Sequence, residues 1–190
     1  DLLHVDLWVN GENLLRDAGS YSYNCEEPWQ SYFTSSAAHN TIQFDGRDQM
    51  PRLSRFLLGA WPKARDVLFD APKEGTTKKF SCRYKDYLGA THHRSVTLKE
   101  HSLKIVDTVS DFNKAAVARF RLNPEREWQI IGEQVSDGQH TLKFEANSSI
   151  ETIKLVEGWE SRYYFQKSKV PVVEITLTEA CKLTTEYCWS

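Results

Sequence analysis

The feature that most restricts this chain is a succession of short β-type segments, closed by turn residues every 8–12 positions or so. Residues 2–10 alternate, with Leu3, Val5, Leu7 and Val9 on one side, and Asn10-Gly11 supplies a turn before Leu14-Leu15-Arg16. A period of two sets one face of a strand against a core. Thr41-Ile42-Gln43-Phe44 repeats the pattern and ends at Asp45-Gly46, a pair suited to hairpin turns. Further strands are expected at 56–61, 64–70, 78–84, 91–99, 102–109, 115–122, 127–132, 140–145, 150–155, 162–167, 170–177 and 182–188. Residues 28–38 read as irregular or a short helical turn, and Arg47–Arg55 as a loop, while Asp137-Gly138 and Ala146–Ser149 mark hairpin turns. No segment sustains a helical apolar period, and no repeat or low-complexity linker divides the chain. The pattern predicts one all-β domain over residues 1–190, an antiparallel multi-stranded β-sandwich of stacked sheets.

The 24 basic and 26 acidic residues give a net charge of -2, which predicts no nucleic-acid partner from bulk electrostatics. No apolar run approaches the roughly 20 residues of a membrane-spanning helix. Asp1–Val9 already reads as a strand, so the chain is expected to be a fragment of something longer. Cys25, Cys82, Cys181 and Cys188 make no CxxC pattern; Cys181 and Cys188 either pair in a terminal hairpin or stay free thiols. Asn147-Ser148-Ser149 is a glycosylation triplet, meaningful only in a secretory setting.

Chemically useful groups gather in Asp17-Ala18-Gly19-Ser20-Tyr21-Ser22-Tyr23-Asn24 and in Ala38-His39-Asn40-Thr41. Asp17 and His39 each adjoin a strand and small residues, and a carboxylate and an imidazole are ordinary zinc ligands that a second histidine would complete. The plainer alternative is that Asp17 satisfies turn amides ahead of Gly19 and that His39 is a hydrogen-bonded, half-buried histidine. Tyr21 shares parity with Asp17 if the stretch is extended, which makes its phenol a candidate for proton transfer; packing is the commoner use of such a ring. His92-His93-Arg94 opens a strand, so at most one of these histidines points inward. His4, His101 and His140 read as strand or turn histidines without a role. The six tryptophans, nine phenylalanines and eight tyrosines would suit stacking on sugar rings, although core packing accounts for most of them. No phosphate loop, GxSxG or HExxH occurs, so phosphoryl transfer and serine hydrolysis lack local support.

Leu14-Leu15-Arg16-Asp17-Ala18-Gly19-Ser20-Tyr21-Ser22-Tyr23, then Ser35–Thr41 with its Ala38-His39-Asn40-Thr41, then Asp45-Gly46-Arg47-Asp48-Gln49, together resemble the C-terminal β-sandwich of the heparinase II/III-like polysaccharide lyases. The specific part lies in the first fifty residues, with weaker echoes at His93–Val96, Ile105–Asp107 and Leu122–Pro124. The resemblance implies a fold of polysaccharide-lyase type, joined in the parent to an N-terminal α/α-toroid, with the substrate cleft between them. It implies β-elimination on an acidic, uronic-acid-containing polysaccharide and a periplasmic or extracellular setting. By motif position Asp17 and His39 match two zinc ligands; the third, a histidine, is expected upstream of residue 1, where Asp1 looks like the last residue of an H-x-H-x-D segment. Tyr21 then falls at a wall of the cleft as the catalytic candidate, and Asn40 orients His39 or binds a sugar hydroxyl. A uronate C5-epimerase and a non-catalytic carbohydrate-binding sandwich are the alternatives.

Overall fold

The alternation predicted from sequence is realised as two facing antiparallel sheets. The computed structural model describes residues 2–72 and 77–189; Asp1 and the role expected of it lie outside the described residues. A first hairpin joins β1 (Leu7–Val9) to β2 (Glu12–Leu15), and its Asn10-Gly11 turn has positive φ at both residues, as a tight right-twisted hairpin requires. A single helical turn α1 (Trp29–Tyr32) and a 3₁₀ turn at Ser36–Ala38 lead into β3 (Ile42–Phe44). A small hairpin, β4 (Arg52–Ser54) and β5 (Leu57–Leu58), stands apart from the sheets. There follow β6 (Arg65–Asp70), β7 (Lys78–Lys85), β8 (Thr91–Leu98), β9 (Ser102–Ser110) and β10 (Ala116–Arg121). The last third contributes β11 (Gln129–Ile131), β12 (Gln134–Ser136), β13 (Thr141–Ala146), β14 (Thr152–Glu160), β15 (Ser168–Leu177) and β16 (Cys181–Cys188).

The eight-stranded sheet runs β11-β12-β13-β16-β9-β8-β7-β6 and the four-stranded one β14-β15-β10-β3. In β9 and β16, neighbours in the large sheet, buried and outward residues alternate along the whole strand, which is how one face of that sheet is turned to the core. Ile105, Leu142, Phe144 and Leu183 of the large sheet meet Ala118, Phe120, Val173 and Ile175 of the small one in a single cluster. Phe120 stacks on Phe144 across the layers at 6.1 Å between ring centroids. The sandwich thus encloses its own core.

Four expected elements change, and the alternative left open for two cysteines is decided. The first strand shrinks to Leu7–Val9, because Leu3 has φ of 61° and the preceding segment bonds to side chains instead of a ladder. The loop expected at 47–55 contains β4, and the strand expected at 56–61 is only the short β5. Residues 162–167, read as a strand from their aromatics, form turns, with Phe165 at φ of 61° and Gln166 N–H bonded back to the Tyr163 carbonyl. Cys181 and Cys188 sit at the two ends of β16 as free thiols. Seven extended residues span roughly 23 Å, far beyond the reach of a disulfide.

Candidate functional site

Asp17 follows β2 and is fixed from both sides. Arg16 is tied to the Arg121 carbonyl through its N–H and to Glu160 through a buried ion pair of 2.9 Å. Gly19, at φ of 74°, donates its N–H to Asp17 Oδ1 at 2.6 Å, closing the turn that the plainer reading of Asp17 predicted. The other oxygen, Oδ2, is left to face two imidazoles: His39 Nδ1 at 2.8 Å and His4 Nε2 at 3.4 Å. Burial alone would raise the Asp17 carboxyl, but the hydrogen bonds from His39 and Gly19 outweigh it and bring the pKa to about 2. Asp17 is therefore a carboxylate at neutral pH.

His39 ends the 3₁₀ turn just before β3 and is buried. Its ring and that of His4 meet edge to face at 5.3 Å. His4, Asp17 and His39 form a group whose ligand atoms all lie within 4.8 Å of one another. Two imidazoles and a carboxylate are the donor types zinc takes. Sequence reading assigned His4 nothing, because its contact with residues 17 and 39 depends on a long-range chain reversal with no local signature.

His4 differs from an ordinary ligand in one respect. Its Nδ1 accepts the backbone N–H of Asn40 at 2.9 Å, so the neutral ring carries its proton on Nε2, the atom turned toward Asp17. Metal-bound histidines normally do the reverse, donating from the nitrogen that does not ligate. Burial lowers the His4 pKa to about 4, against the pull of Asp17, so the ring is neutral at pH 7. Asp17 and His39 fit a zinc ion as two of its ligands; His4, as placed, fits a neutral hydrogen-bond donor beside them.

Below these residues lies a network of buried polar groups. Asn40 is fully buried: its Nδ2 donates to the Val5 and Arg16 carbonyls, and its Oδ1 accepts the Arg121 N–H. With every side-chain group engaged and none exposed, Asn40 offers nothing to a sugar hydroxyl, and the substrate role expected for it gives way to scaffolding. Arg94, also fully buried, grips Asp107 through Nε and Nη2 at 2.6 and 2.9 Å and donates Nη1 to the carbonyls of Leu3 and Asn40 at 2.6 Å each. His92 Nε2 bonds Asp107 Oδ1 at 2.7 Å, so His92 is the inward member of its pair. The Asp45–Gln49 segment serves the same scaffold. Asp48 Oδ1 accepts the Ser36 N–H and Gln49 donates to the Leu2 carbonyl, tying the N-terminal segment to the turn that carries His39.

Tyr21 is in the left-handed region at φ of 55°, so residues 17–21 are not extended and the parity argument linking Tyr21 to Asp17 does not hold. Its ring stacks on Phe33 at 5.3 Å and abuts Phe165 and Trp29, with the Lys167 ammonium 5.0 Å from its centroid. Lys167 also lies 4.4 Å from the Trp29 centroid, so this loop is pinned over α1 by cation–π contact.

Fold and site together define a β-sandwich with a polar cluster built from its N-terminal segment and two loops. The whole chain, residues 1–190, matches the heparinase II/III-like C-terminal family, and it belongs to that family. Among solved structures it is similar to a heparinase III, at 21% identity and a TM-score of 0.77, covering 96% of this chain and 29% of that one. It is also similar to the heparan sulfate lyase HepC from Pedobacter heparinus, at 15% identity and a TM-score of 0.76, covering 98% of this chain and 30% of that one. At these identities the likeness shows the fold. No curated protein matches. The chain spans under a third of the length of those structures. Among the described residues no helix is long and apolar enough to cross a membrane.

Proposed function

We propose that this chain is the C-terminal β-sandwich of a polysaccharide lyase, one that cleaves a uronic-acid-containing polysaccharide by β-elimination and forms one wall of the substrate cleft. The observation that carries the reading is the Asp17–His39 pair: a carboxylate locked by Gly19 and hydrogen-bonded to a buried imidazole at 2.8 Å, in a chain of this family. An N-terminal α/α-toroid supplies the opposite wall and further catalytic groups, and the parent works in the periplasm or outside the cell.

Abstraction of the C5 proton of a uronate leaves negative charge on its carboxylate side, so the site must supply both a base and positive charge or hydrogen-bond donors. Zinc, when bound, supplies that positive charge, with Asp17 and His39 as two of its ligands and a histidine upstream of residue 1 as the third. The Asp17 turn holds its Oδ2 in one place, while His4, which burial keeps neutral, presents its Nε2–H as a hydrogen-bond donor. The Tyr21 phenol is this chain's candidate proton carrier, and its ring is part of the cleft wall.

The test is incubation of the parent protein with a panel of uronate polysaccharides while ultraviolet absorbance is followed. A rise, from the unsaturated uronide that elimination leaves, is the expected result. An unchanged absorbance with C5-inverted product would assign an epimerase, and no change in any substrate would sink the catalytic reading.

A further inference from the structure

The loop that begins at Asp17 has a second use on the surface. Between it and the β4–β5 hairpin lies a cavity of about 240 Å³ whose lining includes Ser22, Tyr23, Phe33, Arg52, Arg55 and Phe56. Phe33 packs in one cluster with Ala18 and Ala38, the residues beside Asp17 and His39, so the cavity backs onto the candidate site. Tyr23 and Phe56 are 66% and 74% exposed, so both rings present open faces. Arg52 sits on β4 and Arg55 follows it into the hairpin turn with Phe56, so the hairpin presents guanidinium and aromatic groups together.

Neutral oxygens hold both guanidinium groups. Arg52 Nη2 donates to Thr34 Oγ1, and Arg55 Nη1 donates to Asn24 Oδ1 at 2.8 Å. Among the described residues the ion pairs formed by arginines involve others, not these two. Glu27 is exposed and close enough for its charge to act on both arginines, but its carboxylate bonds the N–H and hydroxyl of Ser31 and forms an ion pair with neither. Each arginine therefore keeps N–H groups for an incoming anion, in the planar fork that matches a carboxylate or a sulfate. An apolar occupant would strip water from two cations and return nothing.

We propose that this cavity is a subsite for one acidic sugar ring of the polysaccharide, its carboxylate or sulfate held by Arg52 and Arg55 and its ring face laid on Tyr23 or Phe56. The proposal rests on the polysaccharide reading above. It extends recognition beyond the unit at Asp17 and His39 to a neighbouring one.

Calorimetric titration of the 190-residue chain with three tetrasaccharide probes tests it: a sulfated heparan type, an unsulfated uronate–hexosamine type, and neutral chitotetraose. The acidic probes are expected to bind with salt-dependent affinity, and the neutral one at least about tenfold more weakly. The Arg52→Ser/Arg55→Ser double variant should lose about tenfold or more for the acidic probes, and Tyr23→Ala about threefold, with the unfolding midpoint retained. The ratio between the two acidic probes tells sulfate from carboxylate. Equal binding of the neutral probe, unchanged affinity in the double variant, or no binding of any probe would overturn the subsite. So would binding by the isolated chain that disappears in the parent, since the N-terminal domain would then fill the cavity. A parent that yields no unsaturated product while the double variant still abolishes binding would refute the lyase reading and leave the subsite standing.

Discussion

The backbone N–H of Asn40 points at Nδ1 of His4 across 2.9 Å, and this contact decides which nitrogen of His4 holds the proton. A ring that accepts at Nδ1 must donate at Nε2 unless it becomes an anion. For Nε2 to ligate a metal, the Asn40 amide would have to give up its acceptor inside the protein, at a cost of about 1–3 kcal/mol.

That asymmetry separates the three members of the cluster by experiment. In the parent protein, Asp17→Ala and His39→Ala should each lower the zinc-to-protein ratio by tenfold or more, roughly the effect of losing an essential ligand or its orientation. His4→Gln should leave the ratio near that of the wild type while reducing turnover. Full zinc retention in both the Asp17 and His39 variants would remove zinc from the account, and zinc loss in the His4 variant would make His4 a ligand.

Gly19 is replaceable only at the expense of the Asp17 turn. A Cβ there would lie 2.1 Å from the Ser161 carbonyl oxygen, on a residue already at φ of 74°. Ser161 is itself held by its N–H to the Ala18 carbonyl at 2.7 Å, so it cannot step back freely. Gly19→Ala is expected to cost about 2 kcal/mol or more in chemical denaturation, since it combines a backbone clash with a left-handed conformation. A variant as stable as the wild type would show that the loop relaxes without cost.

Arg94 should be the least tolerant charged position. Arg94→Met leaves Asp107 fully buried without its cationic partner and takes a donor from two carbonyls, which predicts a loss of roughly 3–5 kcal/mol. Arg94→Lys keeps the charge but not the fork that reaches Asp107, Leu3 and Asn40 together, and should recover less than half of it. Recovery to wild-type stability by lysine would show that charge alone matters there.

The same network sets an acid limit in two stages. Burial pushes the His92 imidazole below its ordinary range, against the opposing pull of Asp107 and with Arg94 adding to the shift. The unfolded chain then binds a proton that the folded one refuses, so stability is full above about pH 6.5 and falls as pH drops below it. Burial would raise the Asp107 carboxyl, but Arg94 and His92 outweigh it and hold the group well below the carboxylate range. Its contribution is present above about pH 4 and is lost as pH falls through the depressed value. Urea midpoints near pH 7, about 5 and about 3 should decline at both steps; His4, which burial also lowers to about 4, shares the first, so His92→Gln should shrink that step without abolishing it. A first step of unchanged size in that variant would assign it to another group.

Much of this fold could be read from the chain because its information is local. The alternation in 102–109 and 182–188 became β9 and β16, and Asp45-Gly46 turns with positive φ at both positions. Asp17 and His39 were legible as a pair, each beside a strand and small residues, and the structure brings them into contact. What escaped was non-local. His4 falls in an alternating run, so it read as one face of a strand, whereas Leu2, Leu3 and Val5 give their carbonyls to side chains of Thr41 and Gln49, Arg94, and Asn40. Tyr163, Tyr164 and Phe165 have the composition of a strand but form an exposed turn, because β propensity reports the surface a side chain suits and not where that surface is.

Arg94 ties Leu3 and Asn40 to Asp107 in one side chain, and those residues flank His4 and His39. Neither loop can loosen without breaking a contact in the middle of the sandwich. The chemistry and the architecture therefore share one melting event: the amides around His4 and His39 should exchange hydrogen only by global unfolding, at the pace of the central strands. A site wired this way gives up independent adjustment, and under the lyase reading any motion that admits substrate would have to come from the surface hairpin or from the domain proposed to face it.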